Sequence, residues 1–265
     1  MKKIILFTLA SFLVPILSAQ SFADEQLENS PRHHEWVVIE HNGRTLHNFI
    51  AYPEVSEDAL VVIVIHENRG LDTWARSFAD QLAAAGYIAI APDLLSGMDE
   101  NYPRTMDYPS TDAARNALSQ LNPDQVTADL LAVQEYSKSI PASNGKVVVA
   151  GFCWGGSQTF RFATNSDGIE AALVFYGSAS SNEEAIQRIT VPVYGFYGGN
   201  DQRINATIPT TEELMEKHGK FYEYRMYEGA GHAYMRTGDD PEGSEANVNA
   251  RNASWEWLKE ILSGI

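Results

Sequence analysis

A chain of 265 residues that is 44% hydrophobic, 20% charged and 11% aromatic has the apolar surface to bury one large core, which excludes a disordered protein. Its 35 acidic against 19 basic residues give a formal charge of -16 with no basic block, which argues against nucleic acid and anionic membrane surfaces as partners.

Lys2 and Lys3 precede an apolar run from Ile4 to about Leu17, and Ser21-Phe22-Ala23 follows in a small-x-small pattern. This predicts an export signal, residues 1–23, cut after Ala23, and a protein delivered to the periplasm. The other reading, a membrane anchor, requires roughly 20 apolar residues, more than this run offers, and the run carries Pro15. No stable membrane anchor is therefore expected.

Residues 24–265 read as a single domain. "EWVVIE" and "TLHNFIAYP" flank Asn42-Gly43 as a hairpin, and Leu60 to Ile65 is a buried strand. A helix runs from about Thr73 to Ala85 and stops at Gly86, followed by a strand from Tyr87 to Ala91. Asn122 caps a helix with Pro123 at its first position, running to about Lys138. A strand over Lys146–Ala150, a helix from about Gly155 and strands over Ala171–Phe175 and Val191–Tyr197 come next. A helix from about Thr210 to His218, a strand over Phe221–Tyr227 and a helix from about Glu245 to Leu262 close the chain. Apolar strands alternating with helices specify an α/β fold, a mostly parallel sheet with helices on both faces, whose function gathers at the carboxyl ends of the strands.

The one cysteine, Cys153, lies in Gly151-Phe152-Cys153-Trp154-Gly155 between a strand and a helix. By itself a lone cysteine reads as a small buried hydrophobe. In this setting G-x-C-x-G is the nucleophile-elbow pattern with sulfur in place of the serine oxygen. The helix start favours a thiolate, and the Trp154 N–H is a candidate oxyanion donor. An acid and a histidine are expected to follow in that order, and Asp201 and His232 each stand just past a strand. Their plainer readings are a turn aspartate and a loop histidine.

These motifs, with "HENRG" at His66, "APDLL" at Ala91, "YGGND" at Tyr197 and "GAGHAYMR" at Gly229, resemble the dienelactone hydrolase family of α/β-hydrolases with a cysteine nucleophile. The resemblance runs from about Ile63 to the end. It implies a Cys153, Asp201, His232 triad that cleaves an ester or lactone through a thioester, without cofactor or metal. It also implies that Glu67 controls the thiol, that the Asn68 N–H is the second oxyanion donor and that Arg236 holds a substrate carboxylate. The alternative for Glu67 is a helix-start residue. A second family arginine is replaced here by Gly97, with Arg69 and Arg104 as substitutes or as plain surface residues.

The long segment Ser96–Asn122 is expected to shape the pocket, with Met98, Tyr102, Met106, Tyr108, Trp74 and Trp154 as candidate lining. His33, His34, His41 and His47 lack metal-site spacing and read as surface residues. The expected partner is a small-molecule ester or lactone; a monomer is favoured, though nothing in the chain sets the oligomeric state. Other readings are a thioesterase or other acyl hydrolase, a thiol redox protein, and a non-catalytic periplasmic binding protein on the same fold.

Overall fold

The computed structural model describes residues 19–54, 58–179 and 181–265. The expected export signal lies mostly outside the described residues. Helix α1 (Ala19–Glu28) crosses the expected cleavage point, with Ala23 fully buried and the Gln26 side chain accepting a hydrogen bond from Ser77 at 2.6 Å. Strands β1 (His33–His41) and β2 (Arg44–Tyr52) form the hairpin, with His41 opposite Arg44. Asn42 and Gly43 both take positive φ, 49° and 74°, as the tight turn between twisted strands requires.

The chain continues through β3 (Ala59–Ile65), α2 (Thr73–Ala84), β4 (Ile88–Pro92), a short 3₁₀ turn (Thr105–Asp107), α3 (Thr111–Leu118) and α4 (Pro123–Ser139). It then forms β5 (Ser143–Phe152), α5 (Trp154–Ala163), β6 (Ala171–Phe175), α6 (Glu183–Gln187), β7 (Val193–Gly198) and α7 (Gln202–Asn205). The last elements are α8 (Ile208–Lys217), β8 (Tyr222–Tyr227), α9 (Tyr234–Thr237) and α10 (Glu245–Ser263). Asn122 caps α4 as its sequence indicates, accepting from Asp124 N–H, and Asp72 accepts from Ala75 N–H at the start of α2.

The eight strands lie in the order β1-β2-β4-β3-β5-β6-β7-β8, antiparallel across the first two pairings and parallel from β4 onward. Every residue of β3 is buried. Leu60, Val62 and Val64 join the core under α2 and α10, whereas Val61, Ile63 and Ile65 join the core under α4. Alternate side chains leave a strand on opposite faces, so a central strand covered on both sides must be apolar throughout. Each such side chain contributes roughly 1.5–3 kcal/mol by leaving water. The edge strand β8 instead alternates half-buried and exposed positions.

The structure adds three features that the sequence reading does not name. Helix α1 occupies the end of the expected signal. The segment Ser96–Asn122 contains a 3₁₀ turn and α3, whose Ser110 cap accepts from Ala113 N–H at 3.1 Å. The short helices α6, α7 and α9 were not foreseen, because one turn of helix carries too little periodicity to stand out. Among the described residues no helix is long and apolar enough to cross a membrane. The N-terminal histidines are dispersed, His34 against Asp80 and His41 against Asp129.

Candidate active site

Strand β5 is central, paired with β3 and β6, and Cys153 follows its last residue. Its backbone is turned to φ 55° and ψ -114°, and its N–H donates to Phe175 O at 3.0 Å. A non-glycine residue holds such a conformation only where its surroundings enforce it. The enforcement is the close packing of α5 on the sheet: a Cβ on Gly155 would stand 2.3 Å from His66 O, and one on Gly151 2.3 Å from Gly155 O. The turn leaves the free thiol half-buried at the start of α5.

His232, in the loop between β8 and α9, places Nε2 3.0 Å from Cys153 Sγ. Its Nδ1 faces Asp201 Oδ2 at 2.5 Å. Asp201 is buried, caps α7 and uses its other oxygen to accept from Ile204 N–H. Tyr176 packs edge-on against the imidazole, ring centres 5.1 Å apart. Burial lowers the His232 pKa, but the hydrogen bonds to Cys153 and Asp201 outweigh it and raise the value to about 9. The ring is therefore protonated at neutral pH. An imidazolium on sulfur stabilises the negative charge that a nucleophilic sulfur carries.

Glu67 is buried at the end of β3. Its Oε2 accepts from Arg236 Nε at 2.7 Å and its Oε1 from Tyr176 Oη at 3.2 Å. Burial pushes its carboxyl up, opposed by Arg236, while Glu67 holds the guanidinium charged against its own desolvation. Burial and the neighbouring Glu67 push the Tyr176 hydroxyl well above its ordinary value, so it remains a donor. His66, fully buried, stacks on Trp154 with ring centres 5.5 Å apart and an interplanar angle of 12°. Its Nδ1 faces Glu67 O at 2.8 Å. Burial pushes His66 down, so it is a neutral plate behind Trp154.

A cavity of about 300 Å³ beside the thiol is lined by Asn68, Cys153, Trp154, Ser157, Arg203 and Ile204. Trp154 opens α5, so its N–H has no partner within the helix, and with Asn68 it flanks the sulfur. The structure thus brings together Cys153, Asp201, His232, Asn68 and Trp154, and sets Glu67 and Arg236 against each other alongside.

The expected apolar lining is corrected. Of the six candidates only Trp154 lines this cavity. Trp74 is 2% exposed and packs on Phe78 and Phe152 in the core. Met106 and Tyr108 border a separate cavity, Tyr102 packs at a tilt against Tyr108, and Met98 is exposed. Arg69 pairs with Asp72, and Arg104 pairs with Asp107 and lies over the Trp36 ring. Gly97 takes φ 65°, and Arg44 Nη1 lies 3.4 Å from where its Cβ would stand. Tyr176 and Arg203 were not singled out in the sequence. Tyr176 stands just past the strand predicted over Ala171–Phe175, and Arg203 sits two places after Asp201 in "GGNDQR"; neither carries a motif of its own.

The family model described as "Dienelactone hydrolase family" matches residues 46–262. A protein of Saccharolobus solfataricus named "Putative carboxymethylenebutenolidase" is 30% identical over 257 residues, 85% of this chain and 96% of that protein. One of the same name from Escherichia coli is 30% identical over 234 residues, 84% of this chain and 85% of the other. Among solved structures, a "Putative Dienelactone Hydrolase" from Klebsiella pneumoniae superimposes with a TM-score of 0.77 at 23% identity, covering 88% of this chain and 99% of that one.

Proposed function

The chain belongs to the dienelactone hydrolase family, and from that premise we propose that it cleaves an ester or lactone of a small molecule with Cys153 as nucleophile. The observation that carries the reading is the continuous hydrogen-bonded series from Cys153 Sγ through His232 to Asp201 at the carboxyl ends of β5, β7 and β8. Sγ attacks the carbonyl carbon, and the oxyanion rests on the N–H groups of Trp154 and Asn68. His232, oriented by Asp201, protonates the departing alkoxide. It then takes a proton from water, which attacks the thioester, releases the acid and restores the thiol.

Glu67 takes the controlling part that the resemblance implies, and its ties set a condition. Because its oxygens are engaged by Arg236 and Tyr176, it acts on the sulfur only after Arg236 lets go. A substrate carboxylate that reached Arg236 would compete for the same guanidinium. Export belongs to the same proposal, supported by Lys2, Lys3 and the apolar run after them.

The test is steady-state hydrolysis of activated esters and lactones by wild type and Cys153→Ala. The expected result is turnover by wild type and a loss of at least about 10³-fold in kcat for the variant, as for removal of a nucleophile acting in a unit. Retained activity in Cys153→Ala sinks the assignment.

A further inference from the structure

We propose that Arg203 receives an anionic group of the substrate beside Cys153, a contact additional to Arg236, which selects a small ester or lactone carrying a carboxylate or phosphate. The substrate class rests on the hydrolase reading above.

Three observations converge on this residue. Arg203 is exposed and lines the cavity that holds Cys153, Asn68 and Trp154, whereas Arg236 is not among the lining residues and is tied to buried Glu67. Among the described residues Arg203 is also without a partner, in a chain where acidic residues outnumber basic ones by nearly two to one. Nine of the other eleven arginines stand against carboxylates, and Arg188 and Arg76 donate to carbonyl and hydroxyl oxygens. Among the described residues no hydrogen bond or ion pair engages Arg203. Finally, the cavity wall mixes polar and apolar groups, Asn68 and Ser157 beside Trp154 and Ile204. An exposed guanidinium lining a pocket of about 300 Å³ suits a compact anion and not a long acyl chain.

Placement follows from the chain. Asp201 is fixed by His232 and by capping α7, and Ile204 is buried in a small cluster with Tyr197 and Ile208. Arg203 lies between these two anchors, so its backbone is held while its side chain remains free to close on a ligand.

Alkylation of the thiol tests the proposal without any turnover. Cys153 is the sole cysteine, so intact mass reports its reaction alone. Iodoacetate and iodoacetamide differ in charge and little in size, and each forms an S–C bond as iodide leaves. The iodoacetate-to-iodoacetamide rate ratio is expected to fall about tenfold in Arg203→Gln, to recover in part in Arg203→Lys, and to shrink with added salt in wild type. In hydrolysis, the kcat/KM ratio of a carboxylated to an uncharged ester of the same skeleton falls alongside, through KM.

An alkylation ratio unmoved by Arg203→Gln overturns the proposal. So does a fall produced by Arg236→Gln and not by Arg203→Gln, which puts the anion at Arg236. An ester panel without turnover sinks the hydrolase reading and leaves the alkylation result to decide the anion site separately.

Discussion

Cys153 and His232 define the chemistry at the scale of the residue, and the imidazole fixes its pH range. With its pKa raised to about 9, His232 carries its proton at neutral pH and loses it as pH rises through that value. The departing alkoxide needs that proton, so kcat/KM is expected to fall on the alkaline side near pH 9. The hydrogen bond to Cys153 is the foremost cause raising the value, so Cys153→Ala should lower the His232 titration measured by NMR. A titration unmoved in that variant contradicts the contact. Glu67 makes a second prediction. Its side chain is 4% exposed and that of Arg236 22%, so Glu67→Gln leaves a mostly buried guanidinium without its counter-charge. The cost is expected at about 3 kcal/mol in chemical denaturation, the low end for breaking a buried pair because Arg236 keeps some water. A change under about 1 kcal/mol would mean that solvent already replaces the pair.

At the scale of the element, the elbow depends on how near α5 lies to β3 and β5. Gly155→Ala would put a methyl 2.3 Å from His66 O and 2.4 Å from Ile65 O, both backbone atoms that cannot rotate away. The helix must then lift, dragging Cys153 from His232. We expect a loss of at least about 3 kcal/mol in stability together with loss of hydrolysis, read by thermal unfolding and by rate. An active, fully stable variant would show that the close approach is dispensable. The short helices α7 and α9 matter for the same reason, since each begins within two residues of Asp201 or His232 and holds its loop in place.

For the whole molecule, the two-sided sheet explains why the site sits at one rim. Parallel strands end together, and β5, β7 and β8 deliver their loops to the same edge. The proposed export signal has a consequence at this scale as well. Ala23 is buried within α1, so a peptidase reaches the following bond only before the domain folds. The protein purified from a periplasmic fraction is expected to begin at Asp24 by intact mass and N-terminal sequencing. A mass that includes residues 1–23 would contradict the cleavage.

What the sequence determined by itself was local or periodic. Strand and helix runs, the Asn42-Gly43 turn, the Asn122 cap and the glycine-flanked Cys153 follow from patterns a few residues long, and short-range sterics and hydrogen bonding enforce them. The order of Cys153, Asp201 and His232 along the chain was legible too, because each follows a recognisable strand. Only the tertiary structure decided which side chains meet. It buried Trp74 instead of leaving it in the pocket, and it tied Glu67 to Tyr176 and Arg236, 109 and 169 residues away. Among the described residues it also left Arg203 without a hydrogen bond or ion pair, lining the cavity at the thiol. Such pairings depend on strand order, register and the depth of each loop, and a charge or ring looks the same in sequence whether its partner is a core neighbour, a carboxylate or open solvent.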